Sequence, residues 1–328
     1  MGSPALEAFA AEVGPRDPVT CVGGRTAWEV GGAVDPSARE VRAPAGVVRH
    51  EPAEMIVRVR AGTTLAELSA VLAEGGQRVT LEAEHPEHAT VGGLLSVGRA
   101  GPRRLAWGPP RDSVLEVVAV GSDGELFKAG APLVKNVTGF DLCRLLVGSL
   151  GTLAFLAEVV LRTKPLAELE GWWVGEGADP FELLGALFRP VALLWDGQRT
   201  WVGLEGLEAD VAAQAEHLVD LGFASAPGPP TLPGPGRSSW APSRLPNLPR
   251  HYPSGGWLAQ VGVGLVHSTV PEGLADPEGP TLPPGHTRAS AEAARRRAAG
   301  LEEELKRRFD PEGRLNPGRV PPGREGSR

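Results

Sequence analysis

The 328-residue chain is poor in cysteine, lysine and tyrosine and has no long apolar run. Its two cysteines, Cys21 and Cys143, form neither a CxxC pair nor a zinc spacing, so no redox motif of that type and no zinc site is expected. Cys143 falls among Leu142, Leu145 and Leu146 and reads as a small buried hydrophobe, and Cys21 as the end of a strand. Lysine stands only at 128, 135, 164 and 306, and the net charge is −7. That balance argues against nucleic acid, which calls for a basic face. No apolar stretch reaches the roughly 20 residues of a membrane-spanning helix. The opening MGSPALEAFAAEVGPR has no basic flank before an apolar stretch. No signal peptide is therefore expected, and the expected compartment is the cytoplasm, with any membrane association arising through partners.

Catalytic signatures are missing too. No GxGxxG joins a strand to a helix, and no GxxxxGK[ST] is present, so neither a Rossmann dinucleotide site nor a phosphate-binding loop of the NTPase type is supported. Neither GxSxG nor HExxH occurs. Gly262-Val263-Gly264 falls inside an expected strand rather than ahead of a helix.

What is present is an ordinary hydrophobic content in a chain long enough for two domains. Pro4 to Val13 reads as an amphipathic helix with Ser3 at its N-cap and Gly14-Pro15 as its stop. Val19 to Val22 and Met55 to Arg60 read as strands. Thr64-Leu65-Ala66-Glu67 is a capping box opening a helix to about Glu74. Val114 to Val120 is an apolar strand, turned by Ser122-Asp123-Gly124 into Glu125 to Lys128. Ala154 to Arg162 is another strand, stopped by Pro165. After Pro165 the expected strands are 170–174, 191–196, 200–204 and 257–266, with helices at 180–188 and 208–221. That order is β-α-β-β-α-β, the ferredoxin-like split pattern. Residues 226–253 and 271–286 are rich in Pro and Gly and read as long functional or disordered loops. A strong helix spans 289–309, and 321–328 reads as a loose tail.

Three small-residue sites bear on chemistry. Gly23-Gly24-Arg25-Thr26 follows a strand, Thr90-Val91-Gly92-Gly93 opens a short helix, and Gly148-Ser149-Leu150-Gly151-Thr152 precedes a long strand. Backbone N–H groups left free at such turns suit oxygen-rich anions. Each also has a plain reading as a glycine turn or a capped helix. Asp141 reads equally as an N-cap for the helix Leu142 to Val147.

The runs VGGRT (22–26), GTTLAELSAVLAEGG (62–76), ATVGGLLSVGRAGPRRLAWGPPRDSVL (89–115), VKNVTGFDLCRLLVGSLGTL (134–153), AEVVLRTKP (157–165) and FDPEGRLNPGR (309–319) carry a resemblance. The chain resembles flavoproteins of the vanillyl-alcohol oxidase, or PCMH-type FAD-binding, family. Among them it is most similar to the FAD-binding subunits of bacterial glycolate oxidases. The resemblance implies an α+β fold with a two-lobed PCMH-type FAD-binding domain over 1–165 and a small ferredoxin-like cap over 166–290. A C-terminal helix and tail, 291–328, would return to the first domain. It implies that Gly23, Gly24, Arg25 and Thr26 form the first pyrophosphate loop and Thr90, Gly92 and Gly93 the second. Gly148, Ser149, Gly151 and Thr152 would lie near the adenine and ribose, and Asp141 would fix that loop or donate to the cofactor region. Arg103, Arg104 and Arg111-Asp112 match the family pattern; their plain reading is a surface ion-pair cluster.

The first loop offers Arg25 and Thr26 where some relatives carry a histidine, so FAD is expected to be noncovalent. Phe140 and Ala154 also depart from the family pattern, replacing a tyrosine and a glycine. By resemblance the chain is one subunit of a complex with a larger FAD-binding catalytic subunit and an iron–sulfur subunit. The complex oxidises glycolate or a similar small 2-hydroxy acid, with hydride passing to flavin N5. Two alternatives stand beside this: a cofactor-free structural subunit, and a self-sufficient FAD-dependent dehydrogenase. The intact glycine loops weigh against the first and the short cap against the second. His85 and His88 lack further ligands for a metal, and His267 reads as a strand-end residue, so no metal and no catalytic residue is assigned.

Overall fold

A computed structural model describes residues 3–131, 141–270, 273–274 and 300–320. The KNVTGF run, most of the stretch 271–286, the first part of the expected terminal helix and the tail lie outside them. The chain divides into two units. One comprises Met1–Gly101, Pro109–Leu166 and Glu292–Arg328; the other comprises Pro102–Gly108 and Ala167–Ala291.

In the first unit, β1 (Val19–Cys21) and β2 (Arg39–Val41) form a parallel pair, and Leu315 bridges to Val19. The main sheet is antiparallel, built from β3 (Val47–Glu51), β4 (Ile56–Arg60), β6 (Val114–Val120), β7 (Leu126–Gly130) and β8 (Phe155–Pro165), in the order β3-β4-β8-β6-β7, with β5 (Gln77–Val79) on the end of β8. The helix Leu65–Glu74 starts at the capping box: Thr64 Oγ1 accepts from the Glu67 N–H at 3.2 Å, and the Glu67 carboxylate accepts from the Thr64 N–H at 3.0 Å. Such caps contribute about 1 kcal/mol. Leu68 and Leu72 from this helix, Leu95 and Leu146 fill one core against Val57, Val59, Leu156 and Val159. Leu6, Phe9 and Val13 from helix Pro4–Val13 fill a second with Val19, Phe155 and Leu315. β8 contributes to both cores, which is why it reads as an apolar run, broken only by Glu158 between Phe155 and Leu161, rather than an alternating one. Ser3 holds the N-cap position without a side-chain cap bond.

Across that sheet runs an ionic stripe. Glu116 on β6 is fully buried and lies 2.8 Å from Arg58 on β4 and 2.7 Å from Lys128 on β7; Arg58 also meets Glu158 on β8 at 2.9 Å. Burial alone would lower the Arg58 pKa, but the hydrogen bonds to Glu158 and Glu116 outweigh it and the shift is upward. Pairing is what permits a carboxylate this deep in the fold. The chain's end is anchored by similar means. Asp310, 2% exposed, accepts from the N–H groups of Arg314 and Leu315, and the Arg314 guanidinium donates to the carbonyls of Val13, Arg16, Asp17 and Ser122.

The second unit is one antiparallel sheet of β9 (Leu169–Glu176), β10 (Ala192–Trp195), β11 (Arg199–Gly206), β12 (Ala224–Ala226), β13 (Gly236–Ser239), β14 (Trp257–Gln260) and β15 (Leu265–Ser268), ordered β12-β9-β11-β10-β14-β15-β13. Helices Pro180–Ala186 and Glu208–Asp220 supply Leu183, Val211 and Leu218 to a core with Leu193, Val202 and Leu204. The β-α-β-β-α-β run is closed by β12, not by 257–266. That expected single strand is a hairpin, β14 and β15, with Gly262 and Gly264 at φ 81° and 78° in its turn. The Pro-rich stretch 226–253 is also ordered: it contributes β13, a 3-10 turn and the helix Leu248–His251, and buries Trp240, Leu245 and Leu248. Arg103 belongs here rather than to a surface cluster. It is one-fifth exposed, 3.8 Å from Glu170, and over the rings of Trp107 and Trp172, while the Trp107 indole N–H donates to Glu205 at 2.7 Å.

Candidate functional site

All twelve site residues of the sequence reading lie in the first unit. The chain leaves β1 through Val22, whose N–H donates to Val41, and enters the loop Gly23–Thr26. Glycine is required at 23 and 24 by close approach: a Cβ at Gly23 would overlap the Thr90 hydroxyl, and one at Gly24 the backbone carbonyl of His88. Arg25 holds a left-handed φ of 58°. Among the described residues, the N–H groups of Gly23, Gly24, Arg25 and Thr26 make no hydrogen bond. Successive unpaired backbone donors of this kind suit an anion's oxygens. Two guanidiniums flank it. Arg25 pairs with Glu40 and lies over the Trp28 ring, and Arg42 donates to the Gly23 carbonyl at 3.2 Å. A cleft of about 560 Å³ opens beside the loop, lined by Thr20, Arg25, Trp28, Ala33, Asp35 and Glu40 among others.

The second site is built differently. Thr90 does cap the helix Val91–Val97, accepting from the Gly93 N–H at 3.1 Å. The neighbouring donors are spent inside the protein: Val91 N–H bonds to Thr63, Gly92 N–H to Ala61 at 2.7 Å, and Leu94 N–H to Thr90. The donors expected to be free at the helix start, those of Val91, Gly92 and Gly93, are therefore spent. Gly92 is small because Ala61 presses on it, with a Cβ there only 2.8 Å from that of Ala61. The site's contribution is to set the His88–Thr90 backbone against Gly23 and Gly24.

In the third turn the N–H groups of Gly148, Ser149, Leu150 and Thr152 bond within the protein, while that of Gly151 makes no hydrogen bond among the described residues. Gly148 and Leu150 donate to the carbonyls of Leu95 and Ser96, both at 2.9 Å, and so dock on the end of the helix Val91–Val97. The hydroxyls of Ser149 and Thr152 bond to Leu146 and Ser149 within the turn. The second and third sites are thus the two ends of one helix roughly 10 Å long, and the first loop lies against its Thr90 end. Asp141 is exposed and caps the helix Leu142–Leu146, accepting from the Arg144 N–H at 3.1 Å and pairing with the Arg144 side chain at 3.2 Å. Arg144 also binds Asp112 at 2.9 Å.

Sequence reasoning passed over Trp28, Glu40, Arg42, Asn316 and Arg319. Arg319 lies 4.4 Å from the centroid of the Trp28 ring, and Arg25 lies 4.9 Å from it. The available signals were a tryptophan two residues after the loop and the LNPGR run near the C-terminus. His85 and His88 are exposed and sit 3.7 and 3.8 Å from Glu87, and no group of three metal-ligating side chains occurs among the described residues. His267 is buried on β15 beside Gln260 at 3.3 Å. Burial pushes the Cys21 thiol up to about 12 and that of Cys143 up to about 11, so neither is a thiolate nucleophile near neutrality.

The four donors, the adjacent cations and the two glycines that admit a close backbone fit a dinucleotide pyrophosphate. Comparison with known proteins agrees with that chemistry. The family model described as FAD binding domain matches residues 8–130. The chain is 31% identical over 231 residues to glycolate oxidase subunit GlcE of Escherichia coli (strain K12), covering 65% of this chain and 63% of that protein. It is 38% identical over 80 residues to glycolate oxidase subunit GlcD of Bacillus subtilis (strain 168), covering 24% of this chain and 17% of that one. The chain therefore spans less than two thirds of the length of these relatives. A solved structure of alkyldihydroxyacetonephosphate synthase shares the fold, with a TM-score of 0.63 at 13% identity over 95% of this chain and 74% of that one.

Proposed function

We propose that this member of the PCMH-type FAD-binding flavoproteins is the FAD-holding subunit of a complex that oxidises glycolate or a similar small 2-hydroxy acid at its CH–OH group. One observation carries the reading: the row of N–H donors at Gly23–Thr26, with Arg25 and Arg42 beside it. Those groups bind and orient the pyrophosphate, while Thr90, Gly92 and Gly93 shape the wall behind it. Gly148, Ser149, Gly151 and Thr152 hold the far end of the same helix. Asp141 acts through its cap and its pair with Arg144. FAD is held noncovalently, since the loop presents no histidine or cysteine for attachment. When bound, FAD supplies the two-electron acceptor that oxidation of a hydroxyl carbon requires.

In this reading 1–165 with 291–328 is the cofactor domain and 166–290 the cap. The partners are a larger FAD-binding catalytic subunit and an iron–sulfur subunit; relatives named as two different glycolate oxidase subunits support a multi-subunit assembly. No helix among the described residues is long and apolar enough to cross a membrane, which fits a subunit that meets a membrane only through its partners.

The test is a visible absorption spectrum of the purified chain followed by acid precipitation. Flavin absorbance released into the supernatant is the expected result. A colourless protein that takes up no added FAD would assign the chain a structural role and leave the chemistry to its partners.

A further inference from the structure

We propose that Arg319 is a positioning residue for the cofactor's pyrophosphate, turning further backbone donors, the N–H groups of Glu29 and Ala33, toward the cleft that Arg25 lines. The inference rests on the FAD reading above and goes beyond it, because neither Arg319 nor the turn 28–33 belongs to the three loops of that reading.

One guanidinium nitrogen of Arg319 donates to three alternate carbonyls, those of Trp28, Val30 and Gly32, the last two at 2.7 Å. A trans peptide points its C=O and the N–H of the following residue in opposite directions. Drawing the carbonyls of residues 28, 30 and 32 onto one cation therefore turns the N–H groups of 29, 31 and 33 away from it. Among the described residues those three N–H groups make no hydrogen bond. Glu29 and Ala33 line the cleft that Arg25 also lines. Glu29 and Ala33 thus bring unpaired donors to the cleft that Arg25 lines, where the side chains of Glu29, Asp35 and Glu40 also stand.

The rest of the C-terminal run keeps Arg319 in register. Gly318 has a φ of 88°, and a Cβ there would lie 2.6 Å from the Ala33 carbonyl; the Val320 N–H donates to Gly31 at 2.9 Å. Asn316, 8% exposed, accepts from the Thr20 hydroxyl at 2.7 Å and the Cys21 N–H at 3.1 Å, and donates to the Leu150 carbonyl at 2.5 Å. A single amide thereby ties the strand that feeds the first loop to the third turn.

The test compares two arginines of the same run. Arg319 serves the cofactor turn, whereas Arg314 donates to carbonyls of Val13, Arg16, Asp17 and Ser122. Full-length apo-protein is titrated with FAD by flavin fluorescence and competed with ADP, which carries the pyrophosphate without the flavin ring. Thermal melting of each apo-variant reports the fold. Arg319→Gln is expected to weaken FAD and ADP alike by at least tenfold. Arg314→Gln is expected to lower the melting temperature by as much or more while leaving both affinities within threefold. Arg319→Lys puts three donors on one nitrogen and is expected to retain FAD affinity within threefold. Wild-type affinity in Arg319→Gln, or an equal loss in Arg314→Gln, overturns the proposal. If Arg319→Gln does not fold, the lysine variant decides: affinity kept within threefold supports the proposal, and a tenfold loss overturns it. A wild-type protein that takes up no FAD sinks the cofactor reading itself and this inference with it, an outcome distinct from any variant's failure.

Discussion

The loop Gly23–Thr26 and the turns at 90–93 and 148–152 look alike as sequence, each a cluster of small residues at the edge of an apolar element, yet they spend their hydrogen bonds in opposite ways. In the first, four successive N–H groups have no internal partner among the described residues. In the other two, the donors of Val91, Gly92, Gly93, Gly148, Leu150 and Thr152 are taken up by carbonyls or hydroxyls of the protein itself. Small residues mark close backbone approach in all three. Whether the approaching backbone belongs to a ligand or to the protein is decided only by where the donors go. In the proposed reading the first loop is the binding element, and the later two form the frame that presents it.

The sharpest way to break this comparison is to place the same substitution in both classes. Gly24→Ala drives a methyl into the backbone carbonyl of His88, which cannot yield as a flexible side chain would. The loop must lift off the Thr90 segment, and its donors are displaced. A loss of at least about 100-fold in FAD affinity is expected, or roughly 2.7 kcal/mol, measured by fluorescence titration. Gly92→Ala meets Ala61 at 2.8 Å, a packing clash in the frame. It should destabilise the fold by about 1–3 kcal/mol, read by urea unfolding, while the folded fraction binds FAD with affinity changed by less than about fivefold, well under 1.4 kcal/mol. If the two variants lose affinity equally, the distinction between binding loop and frame is wrong.

A smaller effect is expected at the third turn. Thr152→Val removes the hydroxyl that bonds to the Ser149 carbonyl at 2.7 Å and keeps the side chain's shape. About 1 kcal/mol of stability should be lost, with FAD affinity unchanged. A selective loss of affinity at unchanged stability would place Thr152 against the cofactor and return the third turn to the binding class.

How much of this was legible in the sequence depended on whether a residue's role was set locally. The capping box at Thr64 and Glu67, the helix face of Leu65, Leu68 and Leu72, and the apolar strands at 114–120 and 155–165 announce themselves by period and by neighbours a few positions away. The strand Ala224–Ala226 does not, because Ala-Ser-Ala has little intrinsic strand preference and is recruited by pairing with β9. The hairpin at 257–268 was hidden because apolar residues on both sides of Gly262–Gly264 read as one run. The roles of Asn316 and Arg319 depend on carbonyls and donors 166 to 296 residues away, a separation that no local pattern encodes. The same holds for the spent donors of Gly92 and Gly148, whose acceptors are chosen by the fold.

The mildest probe concerns how firmly the first loop is held, and it uses the two thiols. Cys21 sits at the end of β1, two residues before Gly23, and Cys143 in the helix that leads to the third turn. Burial raises both above the ordinary value of 9.0, to about 12 and about 11. The folded state thus holds these protons more tightly than the unfolded chain does. The associated stability is fully present below about pH 8.5 and is lost as pH rises toward the folded values. At pH 8 the native protein should therefore react with a thiol-specific disulfide reagent far more slowly than the urea-unfolded protein, at both positions. Raising the pH through 9 to 11 should speed labelling and lower the melting temperature together. Rapid labelling of Cys21 alone in native protein at pH 8 would mean that β1 opens while the rest of the unit stays closed. The donors at Gly23–Thr26 would then not be held in place before the cofactor arrives, and the contrast between a preset loop and its frame would become one between a mobile loop and a rigid scaffold.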